Sequence, residues 1–305
     1  NSKKLYTLSN HVHVSENEGQ SWQIISPDLT RNDPKKLKSS GGPITQDNTG
    51  VEYYSTLFAA SESKINDGEL WVASDDGLVH FTKSMGDSWE NVTPTQAPKF
   101  LMYNSIETSL FNSGKVYLAG TTYKTGDFNP YLYKTFDYGK TWKKIINGIP
   151  KEHFTRVLRA DPIKEGLLYT GTEYGIYISY DDGESWNSFQ KNLPQVPITD
   201  LKIKDNSLIV ATQGRGIWVL DDLTVLHQLN PEIIYDEINL FKPKESYRLS
   251  GSGGKKSKIA GTNLENGVIV YYNLKTYDSK KDSVSLSFSD SNGKIIKTFS
   301  NFDSK

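Results

Sequence analysis

The residues best equipped for chemistry in this chain are acidic. Asp75 and Asp76 stand in an Asp-Asp-Gly triplet, Asp127 follows Gly126, and Glu173 opens Glu-Tyr-Gly. Two carboxyls facing each other across a glycosidic bond, roughly 5 to 9.5 Å apart and one with a raised pKa, make a hydrolytic pair. Asp-Asp-Gly and Glu-Tyr-Gly are equally good hairpin turns, so the triplets leave both uses open. Candidates for recognition surround them. Tyr123, Phe128, Tyr131 and Tyr174 suit stacking on a sugar ring, and Arg215, between two glycines and two residues after Gln213, has the freedom to reach a carboxylate or carbonyl. Glu107 in SIETS and Arg159 in VLRAD occupy matching places in two strand-like runs, where they either line a binding site or pair with each other.

Other chemistries find little material. A site that clamps a carboxylate with three arginines would consume most of the five present, Arg31, Arg156, Arg159, Arg215 and Arg248. His11 and His13 alternate on one strand and share a face, but no third ligand accompanies them, so no metal is expected. No cysteine is present, which excludes disulfides, thiolate sites and a cysteine nucleophile. Phosphate-cradling loops, nucleotide fingerprints and a serine nucleophile elbow are absent, and no cofactor is expected. With 35 basic and 36 acidic residues, no whole-chain field favours nucleic acid. No apolar run reaches the ~20 residues of a membrane span, so insertion is not expected either.

The elements that must position these residues announce themselves as a repeat. Residues 15–22 (SENEGQSW), 82–89 (TKSMGDSW), 135–142 (TFDYGKTW) and 179–186 (SYDDGESW) share one frame: Ser/Thr, any, Asp/Asn/Ser, any, Gly, any, Ser/Thr, Trp. Four of the six tryptophans close a copy, so the frame decides where tryptophan goes. Glycine supplies a positive φ, the Asp or Asn side chain caps backbone N–H groups, the hydroxyls close the turn, and Trp packs between sheets. Strand-like runs flank each copy, such as LWVAS, VHFT and WENVT around the second. Four short antiparallel strands per unit, with the box between the third and fourth, describe a propeller blade. A fifth unit starts at Ile198 and lacks the box. If the boxes lie on one face, the second-to-third turns lie on the other. That face then carries Asp75, Asp76, residues 123–129, Glu173, Tyr174, Gln213 and Arg215, with the link 27–51 adding Asp28, Arg31, Asp47 and Asn48.

The boxes and the segments SPDLTRNDPKK, GGPITQDNTG, ELWVASDDGLVHFTKSMGDSWENVTP and LIVATQGRGIWVLDD resemble the large secreted bacterial proteins with Asp-box, or bacterial neuraminidase, repeats. These are similar to the sortilin N-terminal domain and are commonly labelled glycosyl hydrolase. The resemblance covers residues 4–229. It implies an all-β, β-propeller fold with four Asp-box blades and a partial fifth, a sector of a larger propeller whose remaining blades belong to the same full-length chain. It also implies an extracellular or periplasmic location and structural boxes opposite the active face. Ser84, in the acidic place of the second box, fits a structural role better than a catalytic one.

After residue 229 the texture changes. Residues 230–262 contain GSGGKKSK and read as a linker, and 263–305 alternate at period two around Asn-Gly, like the start of an Ig-like β-sandwich. Two functions remain open: recognition of a protein or polysaccharide ligand through Asp75, Tyr123, Tyr174, Gln213, Arg215, Glu107 and Arg159, or glycoside hydrolysis by a pair drawn from Asp76, Asp127 and Glu173.

Overall fold

The computed structural model describes residues 3–47, 53–230, 233, 236–246 and 267–302. Asn48 and Arg248 lie outside them, as does the whole GSGGKKSK stretch. Two compact units divide the chain, Asn1–Leu223 and Thr224–Lys305.

In the first unit the strands run in chain order through five antiparallel sheets. A three-stranded sheet comes first, β1 (Leu5–Leu8), β2 (Val12–Ser15) and β3 (Gln23–Ile24). Three four-stranded sheets follow. They comprise β4 (Leu57–Glu62), β5 (Leu70–Ser74), β6 (Val79–Thr82) and β7 (Glu90–Asn91); then β8 (Met102–Thr108), β9 (Val116–Thr122), β10 (Asp127–Thr135) and β11 (Lys143–Lys144); then β12 (Thr155–Ala160), β13 (Leu168–Thr172), β14 (Gly175–Ser179) and β15 (Asn187–Ser188). The last sheet has β16 (Ile198–Lys204), β17 (Ser207–Thr212) and β18 (Ile217–Leu220). Every box sits immediately before the short last strand of its sheet, the fourth strand in the three four-stranded blades.

Middle strands such as β5, β9, β13 and β14 are buried at every residue, because each blade has a neighbour on both faces. The core therefore lies between blades. Val12 and Leu29 of the first blade pack on Leu57 and Val72 of the second, Trp71 and Phe81 on Tyr103 and Leu118 of the third, and Leu132 and Ile145 on Leu158 and Trp186 of the fourth. Innermost strands β4, β8, β12 and β16 lie side by side. Each carries a one-residue bulge near its start, at Phe58, Asn104, Arg156 and Thr199.

The boxes hold this stack together. In the third, Thr135 Oγ1 accepts the Gly139 N–H at 3.0 Å, and Asp137 accepts the Thr141 N–H at 2.9 Å and its hydroxyl at 2.6 Å. Slight burial pushes the Asp137 carboxyl upward, but these donors outweigh it and hold the pKa below its ordinary value. Ser84 makes the same bonds with one hydroxyl, accepting the Ser88 N–H at 3.2 Å, so the acidic charge is dispensable. The box tryptophan then reaches across to the preceding blade. Trp89 donates its indole N–H to the carbonyl of Ile25, Trp142 to Val92 and Trp186 to Ile145, at 3.0, 2.7 and 2.8 Å. Each acceptor stands one residue past the preceding fourth strand. The box glycines approach the same residues: a Cβ on Gly86, Gly139 or Gly183 would come within 2.2 to 2.6 Å of Ile25, Val92 or Ile145. Gly19 has no such neighbour, and Trp22 is 43% exposed.

The second unit starts at Thr224, ahead of the boundary expected at Leu229. A short helix, α1 (Thr224–Gln228), belongs to it because the Gln228 side chain bonds both backbone groups of Lys242, at 2.8 and 3.0 Å. Part of the stretch read as linker is a strand, β19 (Ile238–Leu240), paired with β20 (Tyr272–Leu274). A hairpin, β21 (Ser285–Ser289) and β22 (Ile295–Ser300), turns at Asn292 and Gly293 as Asn-Gly requires.

The tryptophan pattern predicts unequal stability losses. Trp186→Ala should cost about 3–5 kcal/mol, whereas Trp22→Ala should cost under about 1 kcal/mol, as read by denaturant unfolding of the chain. Equal losses would contradict the docking account.

Candidate functional site

The face opposite the boxes is built from the second-to-third turns and the links between blades. Backbone bonds tie three of the turns to the links beneath them, Asp75 N–H to the Thr56 carbonyl, Glu173 N–H to Phe154 and Gln213 N–H to Pro197, at 2.9, 3.1 and 2.9 Å. These ties fix where the side chains above them stand.

The bulges do the second part of the work. An extra residue in a strand turns its side chain out of the alternation, and here the four extra residues, Phe58, Asn104, Arg156 and Thr199, line one pocket of about 250 Å³ with Arg159 and Asp200. Asn104 Oδ1 is buried there without a hydrogen-bond partner. Arg156 rises from this pocket between rings. Its guanidinium lies 5.1 Å from the centre of Phe154 and 5.7 Å from that of Tyr123, and it donates Nε and Nη2 to one oxygen of Glu173 at 2.8 and 2.6 Å. Tyr123 stacks on Phe154 with ring centres 5.0 Å apart and planes inclined by 11°, and Phe128 leans on Phe154 at 6.0 Å. The preceding residue, Thr155, anchors this group: its hydroxyl lies 3.0 Å from the carbonyls of Gly120 and Tyr131 and accepts the Tyr131 N–H.

Tyr123 also lines a second cleft of about 250 Å³ with Lys36, Tyr54, Asp75, Phe100 and Lys124. The two hollows thus adjoin through the Tyr123 and Arg156 stack. Asp75 Oδ1 accepts the Thr56 N–H at 2.9 Å, yet burial dominates and raises its pKa, with the Asp76 charge adding to the effect. Burial, Asp76 and Asp75 push the Tyr54 phenol up to about 12.

The expected residues therefore divide. Asp75, Tyr123 and Glu173 are drawn into one neighbourhood. Asp76 is fully buried, its oxygens accepting the Arg31 N–H at 2.7 Å and the Ser74 hydroxyl at 2.6 Å, which pins the long link to the turn. Asp28 pins the same link through Thr30 and Asn10. Asp127 accepts the Tyr131 hydroxyl at 2.5 Å and the Asn129 N–H at 3.0 Å; partial burial opposes these donors, and the donors win, holding its carboxyl low. Tyr131, expected at the surface, is 8% exposed because β10 packs it into the core between the second and third blades. Glu107 and Arg159 approach to 3.9 Å, and Arg159 also pairs with Asp200 at 2.7 Å and caps the Leu201 carbonyl, tying the third, fourth and fifth blades. Burial raises the Glu107 pKa against Lys64 and Arg159. Tyr174 is exposed and stacks on His153 at 4.6 Å. Arg215 stands exposed between Gly214 and Gly216, both at positive φ. His13 bonds the Ser9 hydroxyl and His11 the Ser26 carbonyl, and among the described residues no three metal-ligating groups converge. Sequence reasoning missed Tyr54, Phe100 and Phe154, all in links between blades. Their signal was an aromatic residue beside the first strand of the following blade.

No family model matches the chain. A stretch of 111 residues is 26% identical to an oligoxyloglucan-reducing end-specific xyloglucanase of Emericella nidulans, covering 34% of this chain and 13% of that protein. The GH74 xyloglucanase of Xanthomonas campestris superposes with a TM-score of 0.54 at 15% identity, over 72% of this chain and 34% of that one. An ancestral GH74 enzyme gives 0.52 at 12% identity, over 98% and 36%. The fold is a β-propeller. This chain spans about a third of each of those structures. Among the described residues no helix is long and apolar enough to cross a membrane.

His80, on β6 below Asp76, supplies a pH test. Burial lowers its pKa from 6.5 to about 4 against the pull of Asp76, and Nδ1 has no partner. The unfolded chain binds this proton at higher pH than the folded one, so stability falls as pH drops from 6.5 towards 4. The loss attached to His80 is on the order of 3 kcal/mol. Thermal unfolding should show that slope flattened in His80→Gln; an unchanged slope would contradict the assignment.

Proposed function

We propose that this propeller module recognises a glycan chain on the face opposite the boxed turns. The observation that carries the reading is Tyr123, whose ring is a wall of the cleft and at the same time stacks on Phe154 beside Arg156. Two adjoining hollows separated by a rigid aromatic ridge suit a ligand of several sugar residues, with rings laid on Tyr123 and Phe128 and hydroxyls bonded to Asp75, Asn104 and Glu173. A packed ridge keeps its rotamers before the ligand arrives, which lowers the entropy lost on binding. The similarity to xyloglucan-acting enzymes agrees with a polysaccharide in preference to a protein ligand. We take the module to work outside the cytoplasm, and the four boxed turns support the resemblance to secreted Asp-box proteins.

Gly19 and Trp22 bear on the partner within the same protein. Elsewhere these two box positions press against the outer strand of a preceding blade, so we infer that a further blade covers them in the complete propeller.

Hydrolysis is favoured by one observation, the raised pKa of Asp75 at the wall of the cleft. Asp76, sealed in the link, has both oxygens committed, and Glu173 has one oxygen held by Arg156.

Tyr123→Ala should weaken binding of xyloglucan oligosaccharides and related glycans in calorimetry by about tenfold, the effect of losing an aromatic contact of about 1.5 kcal/mol. Unchanged affinity would overturn this site. Release of reducing ends by the native chain and its loss in Asp75→Asn would establish the hydrolytic reading, and no release would remove it.

A further inference from the structure

The cleft beside Tyr123 has a charge pattern that a neutral polysaccharide does not need. Phe100, in the link before β8, is surrounded by cations: Lys36 Nζ lies 4.5 Å from the ring centre, Lys99 Nζ 5.3 Å and the Arg31 guanidinium 5.6 Å. Lys124 lines the same cleft as Lys36 and Phe100. Holding like charges round one ring raises the energy of the unliganded surface. Carboxylates in the neighbourhood do not offset them directly. Asp76 is fully buried on the Arg31 backbone and Ser74, Asp75 is turned onto Thr56, and Asp33 caps the Lys35 N–H at 3.0 Å. Arg31 itself spends its Nε and Nη2 donors on the carbonyls of Asp76 and Gly77, at 2.8 and 3.2 Å, so its charge is fixed in place without being neutralised by those bonds. Among the described residues Lys36, Lys99 and Lys124 form no ion pair with a carboxylate, and all three are exposed.

Other charged parts of the molecule behave differently. Lys115 and Lys134, on the boxed side, are buried against Asp182, Glu165 and Glu184. Arg156 is matched by Glu173 and Arg159 by Asp200. These buried or half-buried charges are paired; Lys83 over Tyr138 and Lys144 over Tyr131 are single cations on a ring, whereas around Phe100 two lysines and an arginine gather. We propose that the ligand of this cleft is an acidic polysaccharide, one that carries carboxylate or sulfate groups along its length. Sugar rings stack on Tyr123 while the anionic substituents meet Lys36, Lys99 and Lys124. Lys36 and Lys99 lie over the Phe100 ring, Lys36 and Lys124 line the cleft, and Lys99 lines the hollow beside it with Arg31. This rests on the glycan reading of the same site and adds the class of glycan.

The test uses the whole chain and three polymers: polygalacturonate, dextran sulfate and neutral xyloglucan, at about 150 mM salt, where loose surface attraction is screened. Affinity electrophoresis should show at least one acidic polymer bound tenfold or more tightly than xyloglucan. Which of the two binds assigns the anion to carboxylate or sulfate. Changing Lys36→Gln, Lys99→Gln and Lys124→Gln together should weaken acidic binding about tenfold and leave xyloglucan within twofold, and Tyr123→Ala should weaken every bound polymer. Three results overturn the inference. If xyloglucan binds as tightly as the acidic polymers and the lysine variant changes nothing, the acidic preference is wrong while glycan recognition stands. If acidic polymers bind but Tyr123→Ala is without effect, the lysines adsorb polyanions away from the site. If nothing binds, both readings fail together. Because the three lysines are exposed, the variant should melt as the native chain does, and a matching circular dichroism melt confirms that lost binding is not lost folding.

Discussion

The second, third and fourth blades are each fixed to the one before by an indole N–H laid on a carbonyl one residue past the outer strand, with a glycine beside it that leaves no room for a side chain. The contact recurs at Ile25, Val92 and Ile145 with the same geometry. Burying a tryptophan contributes large apolar area, and its single polar atom must find an acceptor when buried. One contact therefore supplies attraction and register at once. Because neighbouring blades are locked in register on the boxed side, their inner strands start at matching heights on the other side, and the bulges at Phe58, Asn104, Arg156 and Thr199 come out around one hollow.

That arrangement explains how the carboxylates are distributed. A turn on the open face needs something to hold the link that crosses beneath it, and buried Asp76 does this by capping a backbone N–H 45 residues away. Asp127 holds its own insertion through Asn129 and Tyr131. Glu173 orients Arg156 on the aromatic ridge. Asp75 alone combines a place in the cleft wall with a pKa raised by burial. Scaffold and site thus draw on the same residue types, and burial together with hydrogen-bond partners tells them apart.

The scaffold was legible in the sequence because it repeats. Four copies of Ser/Thr, Asp/Asn/Ser, Gly and Trp at fixed spacing give the turns, their place before the fourth strand, and the face on which function should be sought. Ser84 already argued that the acidic position is structural, and its bonds bear this out. Site residues were legible only where they sat in turns: Tyr123 and Glu173 belong to the second-to-third turns, whereas Phe100 and Phe154 arrive from links whose course depends on how blades stack. Arg156 shows the limit best. It is one residue from the start of an ordinary strand, and only the bulge, a two-against-one pairing with β13, turns it towards the channel. Tyr131 fails for the opposite reason, since its neighbours suggest an exposed insertion and the core shared with the preceding blade covers it. The boundary after Leu223 was not legible: Gln228 of α1 bonds Lys242, a long-range pair that composition does not encode.

Amide hydrogen exchange on the chain with and without a saturating acidic oligosaccharide, such as oligogalacturonate, tests the central claim most directly. Binding opposite the boxes predicts slowed exchange in residues 53–57, 99–103, 121–126 and 154–157, with the boxed turns at 82–89, 135–142 and 179–186 unchanged. Protection confined to the boxed turns, with the Tyr123 and Arg156 segments unaffected, would contradict it.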